Sequence, residues 1–483
     1  MHRHRTWSVS TPVHRTQRNR LSSVRGNSLG VGAFGSTLAA TMVRDAVAGR
    51  DSLDVVTIGD SNAGISYGGF GGGGGGWTRG ILRALNNAGA PTYGSPLMPI
   101  SSQGITTTTG VVKEDDTTTV STIAGYFSNV TAAADITNLT SGATTGPSDL
   151  SLNVIPNTSF LPYGLTNFNY AWVPATKTVQ TFSQLNGTYP GGADPNPTLP
   201  SWCTWNTTLR YHYVFARTAT SGGSINPTIY SVIGGNYAAL ATKSVSTYSS
   251  AGTAVLSDYV QFTMPASGAV IFGWAYIGIA TGPAGVIYDS VYKPVKGVSV
   301  SNLHYGSGQT INTISAVISG ANNGGGYFLD NYFKALVDRQ VAAGGSGRIL
   351  VWINGGVNGD TSAQWTAGMS SIVSAIQSAW VRAGYSLGNL AFVTSVSHAL
   401  DTDYGGNTES TLQGIRADAR QWVRTCPNTT LVDLPTFYTA AQATANGYFM
   451  AAGNASPLGE AHLSQTGYYE FSKKIVNAFL TSH

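Results

Sequence analysis

The sequence predicts an α/β protein with a mostly parallel sheet, interrupted by an inserted all-β sandwich. Toward both ends of the 483-residue chain, apolar strand-like runs alternate with amphipathic helix patterns. This alternation is typical of a parallel sheet covered by helices on both faces. Between them, β-branched and aromatic runs alternate with Gly, Pro, Asn and Ser clusters, as in β-sandwiches. We therefore expect one α/β domain, residues 38–104 and 297–483, with the sandwich inserted over 105–296.

The N-terminal residues 1–37 differ from the rest and are predicted to form a basic arm. Every Lys, Arg, Asp or Glu before Asp45 is an arginine, and without this segment the chain is slightly acidic. A basic, nucleic-acid-binding body is therefore disfavoured. Residues 28–43 also resemble a secretory signal peptide, an alternative that stays open beside an arm that attaches the chain to a larger assembly.

The α/β elements follow from apolar periodicity. In chain order they are helix 38–49, strand 53–58, helix 77–87, strand 297–303, helix 327–343, strand 348–353, helix 362–383, strand 390–396, helix 411–425, strand 430–434 and helix 466–480. A Gly-rich loop at 68–76 separates the first strand from the second helix and is predicted to be a mobile rim. The clearest strands of the inserted zone are 228–233, 254–264, 268–279 and 286–292.

The amino-acid composition favours a protein that binds sugars over one that spans a membrane. Charged residues make up 10% of the chain, against about 25% in ordinary soluble proteins. Hydroxyl and amide side chains replace them, which favours neutral surfaces that suit sugars. No run of eighteen apolar residues is present, so no membrane span is expected. Cys203 and Cys426 form either one long-range disulfide or, at least as plausibly, two unpaired thiols.

Gly59-Asp60-Ser61-Asn62 follows the first predicted strand directly. In open α/β sheets, ligands bind beyond the carboxyl ends of the strands. A serine there projects its hydroxyl at the top of the sheet, near backbone N–H groups that can hold an oxyanion. The competing interpretation is a simple turn or a helix cap.

Residues 55–62, VVTIGDSN, resemble the first motif of SGNH/GDSL hydrolases, an apolar strand that ends in Gly-Asp-Ser. Three further segments resemble the other motifs of this family, in the same order: SNLHYGSGQT at 301–310, VWINGGVN at 351–358, and EAHLSQTGYY at 460–469. The resemblance implies a three-layer, flavodoxin-like parallel sheet, the SGNH hydrolase fold. It also implies that Ser61 is the nucleophile and His462 its base, with oxyanion donors at Gly308, Asn358 and Ser61 N–H. No cofactor and no metal are implied.

The chain departs from the family pattern at the catalytic acid. The usual Asp-x-x-His would need Asp at position 459, which is Gly459, and Glu460 lies one residue closer to His462. After Asn358, Gly359 displaces Asp360 by one position. Glu460 is thus a doubtful acid, and a Ser–His dyad with a backbone carbonyl orienting the ring is chemically workable.

Other chemistry-bearing residues are weighed against structural roles. His398 follows a strand and has a minor claim to catalysis, Asp433 is predicted to be structural, and His212 is predicted to lie on a strand surface. The Gly-rich loop lacks a following Lys-Ser/Thr, so a phosphate-binding loop is not expected. A set of aromatic side chains either stacks on sugars or, as favoured, fills the sandwich core; it comprises Trp172, Trp202, Trp205, Tyr211 and Tyr213.

Together these features predict a serine ester hydrolase that removes O-acetyl groups from an extracellular or cell-surface polysaccharide. We expect an extracellular or virion-associated protein, such as part of a phage tail fibre or spike, that contacts other assembly subunits through the basic arm. The alternative is a virion structural protein or glycan-binding adhesin with a vestigial hydrolase domain. A lipase ranks third, because no long apolar lid segment is evident.

Overall fold

The computed structural model describes the following parts of the chain: residues 33–63, 76–95, 97–99, 127–129, 139–140, 171–172, 179–185, 206–217, 224–233, 236–246, 248, 250, 254–266, 269–277, 285–303, 310–323, 327–400, 407–449 and 462–482. The predicted arm up to residue 32 and the Gly-rich loop up to residue 75 lie outside these ranges.

The first and last of the described elements are α/β elements. The first are β1 (Ala33–Gly35), α1 (Leu38–Val47), β2 (Leu53–Gly59) and α2 (Gly76–Asn87). Then come β3 (Met98–Pro99), β4 (Phe127–Asn129), β5 (Leu139–Thr140), β6 (Ala171–Trp172), β7 (Val179–Leu185), β8 (Thr208–Arg217), β9 (Ser224–Ile233), β10 (Asn236–Thr242), β11 (Val245–Ser246), β12 (Ala254–Thr263), β13 (Ala269–Ile277) and β14 (Gly285–Tyr292). The last are β15 (Val298–Asn302), α3 (Ile311–Asn323), α4 (Tyr327–Ala342), β16 (Ile349–Gly355), α5 (Ser362–Arg382), β17 (Leu390–Val396), α6 (Glu409–Trp422), β18 (Thr429–Val432), α7 (Ala440–Ala445) and α8 (Gln465–Thr481).

One six-stranded sheet combines the two ends of the chain, in the order β15-β2-β16-β17-β18-β1. Its first five strands run parallel, and β1 pairs antiparallel with β18. Numbered along the chain, the parallel strands stand in the order 2-1-3-4-5, which is the flavodoxin-like arrangement. The strand order reverses between β2 and β16, and such a switch point is where open α/β sheets place their ligand crevice.

Helices cover both faces of this sheet. Side chains of a strand alternate between the faces, and β16 shows the result: Ile349, Val351 and Ile353 pack among α3, α4, α5 and α6. Leu350 and Trp352 pack on the opposite face among α1, α2 and α8. Both sets are buried, which explains why β16 is apolar along its length.

The strands of the inserted zone, together with β3 from the segment before it, form two further sheets with strand orders β12-β8-β14-β3 and β10-β9-β13-β7-β4. Pairing is antiparallel throughout the described strands, apart from the short parallel contact of β5 with β7. Tyr211 and Tyr213 of β8 are fully buried, so they are core residues, as favoured from the sequence. Trp202 and Trp205 lie outside the described residues, as does the side chain of Trp172.

The inserted sheets and the parallel sheet share contacts. The segment after α2 bridges the end of β14 through Gly94 and Tyr292, and the start of β15 through Thr92 and Val298. The β8 sheet also packs on α4, where Val214 joins the core of the parallel domain. The domain limits at 104 and 296 stay predictions, since residue 104 lies outside the described ranges.

A fully buried ion pair fixes α4 to the start of β2. Arg339 of α4 pairs with Asp54 of β2. Tyr93 Oη donates to Asp54 Oδ2 at 2.8 Å, and Gln340 Nε2 donates to the same oxygen at 3.1 Å. Arg339 Nη1 also donates to the Ser95 carbonyl oxygen at 2.7 Å. The network therefore joins the parallel sheet, its helix layer and the chain that leads into the insertion.

Several details differ from the sequence-based expectations. β1 lies inside the segment predicted as an arm, and α3 and α7 were not predicted. The prediction that His212 lies on a strand surface is wrong, because the ring is buried and bonds Ser257 Oγ through Nε2 at 2.9 Å. Burial, with a smaller effect of the Arg339 charge, lowers the pKa of His212 to about 3.

Cys426 is a partly buried free thiol, which agrees with the unpaired alternative, and Cys203 lies outside the described residues. Among the helices that the structure describes, none has the length and apolar content that a membrane crossing requires.

Candidate functional site

The turn that carries Ser61 follows the carboxyl end of β2. β2 ends at Gly59, and residues Ser61–Ala63 form a short 3-10 turn closed by Ala63 N donating to the Asp60 carbonyl oxygen at 3.0 Å. A Cβ at position 59 would collide with the Asn354 carbonyl oxygen of β16. Glycine therefore lets β2 and β16 approach closely at the point where the turn begins. The Ser61 side chain lies outside what the structure describes.

Asp60, the residue before Ser61, turns its carboxylate into the protein. Its Oδ1 accepts from Asn62 N at 2.9 Å and from Asn62 Nδ2 at 3.2 Å. Its Oδ2 accepts from Asn358 Nδ2 at 2.9 Å. Burial raises the pKa of Asp60 to about 6; the hydrogen bonds from Asn62 oppose the shift, and the charge of Asp360 adds to it.

Asn358 lies beyond the carboxyl end of β16, the strand next to β2. Gly59 and Asn354 are register partners in these strands, so the segments that follow them enter the same crevice. The hydrogen bond from Asn358 to Asp60 joins the two segments directly. The structure thus brings together the Ser61 turn and Asn358.

Two helices of one sheet face also hold the Ser61 turn. Thr78 Oγ1 of α2 donates to the Ala63 carbonyl oxygen at 2.8 Å. Tyr468 Oη of α8 donates to Asn62 Oδ1 at 2.5 Å, in a fully enclosed contact. The turn is therefore fixed from α2, α8 and the segment after β16.

His462 is buried just before α8, the helix that carries Tyr468. Two backbone contacts fix this segment: Leu463 pairs with Phe449, and Ser464 N donates to the Tyr448 carbonyl oxygen at 2.7 Å. Ser464 then caps α8 by accepting from Gly467 N at 3.1 Å. His462 is thereby held at the start of the helix that contacts the Ser61 turn.

Two predicted members of the site, Gly308 and Glu460, lie outside the described residues. The helix after the Gly308 segment is described, and Asp360 determines where it begins. Asp360 Oδ2 accepts from Ile311 N, the first residue of α3, at 3.1 Å. The displaced acid of the Asn358 segment is therefore a helix cap, and burial raises its pKa.

The remaining candidates have structural partners. Asp433, predicted to be structural, forms an ion pair with Arg420 of α6. His398 follows β17 and is buried with its ring against Phe449, at a centroid distance of 5.4 Å. Its carbonyl oxygen accepts from Arg416 Nη2 at 3.0 Å. His398 thus adjoins the segment that pairs with Leu463.

The sequence did not point to Asp60, Asn62 and Tyr468 as parts of the site. The available signal was that Asp60 immediately follows an apolar strand, and that the amide residues Asn62 and Asn358 each follow a strand end, where they could donate to this acid. In the described ranges, no group of three or more His, Cys, Asp or Glu side chains converges as metal ligands would.

No protein-family model matches the chain. A search of curated proteins gives no match either. Among solved structures, the chain is similar to a family two carbohydrate esterase from Clostridium thermocellum in complex with cellohexaose, at 12% identity and a TM-score of 0.24, over 57% of this chain and 92% of that one. It is also similar to a carbohydrate esterase family 2 enzyme plus carbohydrate binding domain from Corynascus thermopiles (Myceliophthora fergusii), at 12% identity and a TM-score of 0.23, over 58% of this chain and 94% of that one. A family two carbohydrate esterase from Cellvibrio japonicus gives 11% identity and a TM-score of 0.13, over 45% and 88%. At these values the likeness carries no argument about this chain's activity.

Proposed function

We propose that the chain is a serine ester hydrolase of the SGNH type, with Ser61 as nucleophile and His462 as general base. One observation carries the proposal: the Ser61 turn and Asn358 follow adjacent parallel strands at the switch point and are joined by the hydrogen bond of Asn358 to Asp60. Ligand crevices form at such points. The contact of Tyr468 with Asn62 supports a place for His462 beside the same turn, since His462 precedes that helix.

The proposed reaction is acyl transfer through a covalent intermediate. Ser61 Oγ attacks the ester carbonyl carbon while His462 accepts the hydroxyl proton. The carbonyl oxygen becomes an oxyanion, held by N–H donors of Ser61, Gly308 and Asn358. Collapse breaks the ester bond, and His462 protonates the leaving alcohol. Water then attacks the acyl-serine in the same way, releases the acid and restores Ser61.

Two buried carboxylates other than Glu460 each have a partner on one oxygen: Asp433 pairs with Arg420, and Asp360 accepts from the first residue of α3. Glu460 stays a doubtful candidate beside a backbone carbonyl. We expect Glu460→Gln to reduce turnover much less than His462→Ala does, measured on one small acetate ester. Equal losses from the two variants would make Glu460 a full triad member.

The proposed substrate is an O-acetylated polysaccharide outside cells, with the basic arm, residues 1–37, attaching the protein to a larger assembly such as a virion. The support is the low charge of the chain, 10% Asp, Glu, Lys and Arg, and the confinement of early charge to arginine. The fibre or spike role rests on composition alone and stays a prediction. Removing residues 1–32 should leave hydrolysis of a small ester unchanged, because they precede β1.

Acetate release from a purified acetylated polysaccharide tests the proposed function. Wild-type protein should release acetate, and Ser61→Ala should abolish release while leaving the far-ultraviolet circular dichroism and melting temperature unchanged. Asn358→Ala should lower kcat by about 10²–10³. Polysaccharide binding by a wild-type protein that releases no acetate and hydrolyses no small ester would overturn the hydrolase and favour the glycan-binding alternative.

A further inference from the structure

The geometry points to Asp60 as a positioning residue that acts through Asn358: its carboxylate sets which end of the Asn358 carboxamide faces the Ser61 turn. This inference rests on the proposed function, in which Asn358 is an oxyanion donor. Asp60 itself touches no substrate in this scheme. It acts only by turning a neighbouring side chain toward the place where negative charge develops.

The Asp60 carboxylate is enclosed, and both of its oxygens are used. Asp60 and Asn62 are 0% and 2% exposed. Oδ1 accepts two hydrogen bonds from Asn62, and Oδ2 accepts one from Asn358 at 2.9 Å. All three donors are neutral amides. In the described part of the chain, no Lys, Arg or His forms an ion pair with Asp60.

An ionised carboxylate can only accept hydrogen bonds, whereas a carboxamide has a donor end and an acceptor end. Asp60 therefore selects the rotamer in which Asn358 Nδ2, and not Oδ1, faces the turn. Nδ2 carries two hydrogens about 120° apart in the amide plane, of which Asp60 takes one. In the opposite rotamer, the carbonyl oxygen of Asn358 would face the turn and would repel an oxyanion instead of binding it.

The carboxylate is itself anchored from the far side. Asn62 donates to Asp60 through Nδ2 and accepts at Oδ1 from Tyr468 Oη at 2.5 Å. This fixes the rotamer of Asn62 in the same manner, because the tyrosine hydroxyl supplies the donor. A chain of hydrogen bonds thus runs from α8 through Asn62 and Asp60 to Asn358. The nucleophile turn and the oxyanion donor are set by one network.

A purely structural role for Asp60 makes a different prediction. If the carboxylate only shapes the turn through Asn62, its loss should impair the protein whether or not Asn358 is present. If it acts through Asn358, its loss should matter little once the Asn358 amide is gone. Residues that act as one unit show this non-additivity.

The test is a double-mutant cycle of Asp60→Asn and Asn358→Ala. Asp60→Asn replaces one acceptor oxygen with a donor. The new NH₂ group would meet two donors at the Oδ1 position but only one, Asn358 Nδ2, at the Oδ2 position, so we expect it to face Asn358. We expect kcat for a small acetate ester to fall about 10²-fold, as on loss of an oxyanion donor, with KM nearly unchanged. In the Asn358→Ala background, the same substitution should lower kcat by no more than about twofold.

A second readout does not depend on knowing the substrate. A fluorophosphonate is attacked by Ser61 Oγ, fluoride leaves, and the phosphonylated protein is counted by intact mass. Its labelling rate should follow the same cycle. Circular dichroism and melting temperature check folding, and Asp60→Ala, which removes the acceptors without adding a donor, replaces Asp60→Asn if that variant does not fold.

The outcomes separate the two proposals. Equal losses from Asp60→Asn in the wild-type and Asn358→Ala backgrounds would overturn the positioning role while leaving the hydrolase intact. A loss expressed in KM alone would overturn it too. A wild-type protein that neither hydrolyses the ester nor is labelled would overturn the proposed function and this inference together.

Discussion

Two buried aspartates stand at opposite ends of β2 and are treated in opposite ways. Asp54, near the first residue of the strand, faces the Arg339 guanidinium and also accepts from Tyr93 and Gln340. Asp60, just past the last residue, accepts from the amides of Asn62 and Asn358, its hydrogen-bond donors among the described side chains and amides. Both side chains are 0% exposed. One carboxylate is neutralised by a cation, and the other is only solvated by dipoles.

The contrast separates the stabilising role of Asp54 from the positioning role that we propose for Asp60. A buried charge is tolerated when it is paired, and Asp54 joins three parts of the fold in this way. An unpaired buried carboxylate opposes its own ionisation, and the raised pKa of Asp60, about 6, expresses that. Such a group is retained where its charge or acceptor character is used, and groups of this kind cluster at functional sites.

The largest expected effect comes from removing Arg339, the cation that pairs with Asp54. Arg339→Met should lower the free energy of unfolding by about 3–5 kcal/mol, because it leaves Asp54 charged and buried without its cation. Urea unfolding followed by circular dichroism measures this. Adding Asp54→Asn should recover part of the loss, and kcat per folded molecule should not change. Failure of the second substitution to recover any stability would mean that packing, and not the unpaired charge, causes the loss.

The buried Asp60 carboxylate, which has no cation beside it among the described residues, should make the free energy of unfolding depend on pH. The pKa of Asp60 rises from its ordinary value of 3.8 to about 6 on folding, so the folded state binds this proton more tightly. This tighter proton binding adds to the free energy of unfolding. The added stability is fully present below pH 3.8 and is lost as the pH rises through 6, about 3 kcal/mol in all. The free energy of unfolding of wild type, relative to that of Asp60→Asn, should therefore fall as the pH rises from 4 to 7. Urea unfolding of both proteins at each pH measures this.

A pH-independent difference between these two proteins would contradict the raised pKa. The constant offset from the altered hydrogen bonds does not interfere, because only the change with pH is read.

The smallest expected effect concerns Tyr468, whose hydroxyl holds the Asn62 side chain that contacts Asp60. Tyr468→Phe removes the hydroxyl that donates to Asn62 Oδ1 and leaves that buried oxygen without it, which should lower the unfolding free energy by about 2 kcal/mol. Tyr469→Phe is the matched control on the same helix, since its hydroxyl accepts from the exposed Asn87. Its effect should stay within about 0.5 kcal/mol. Equal effects of the two would show that the Asn62 contact adds nothing.

Much of the parallel domain could be predicted from periodicity, because buried strands such as 349–355 are apolar on both faces. The strand order could not, since it depends on which strands pair. β1 was missed because three residues in an arginine-rich segment carry no period. α3 was missed because its polar residues, among them Asn312 and Asn323, weaken the helical pattern.

The position of His212 shows a different limit. Alternation places His212 opposite its two tyrosine neighbours, and the prediction assumed that one face of the strand is open to solvent. The β8 sheet instead packs on α4, which covers that face as well, so both sets of side chains are buried. Periodicity reports which residues share a face, but only the assembled fold reports what covers it.

The proximity of the Ser61 turn to Asn358 could be predicted from the sequence, whereas the side-chain contacts around them could not. Ser61 and Asn358 follow strand ends, and parallel strands bring their carboxyl ends to one edge. Among the contacts of Asp60, Asn62 and Tyr468, the hydrogen bond from Tyr468 to Asn62 joins positions 406 residues apart. No local pattern encodes them.

The two outer parallel strands of the sheet, β18 and β15, both meet other parts of the described chain. β1 pairs along β18 at one side, and at the other side Tyr93 N donates to the Val298 carbonyl oxygen of β15 while Val298 N donates to the Pro91 carbonyl oxygen. Unpaired sheet edges are templates on which other chains add strands and aggregate. A second copy that extended the sheet beyond β18 would therefore have to pair with β1, whose three residues offer only a short template.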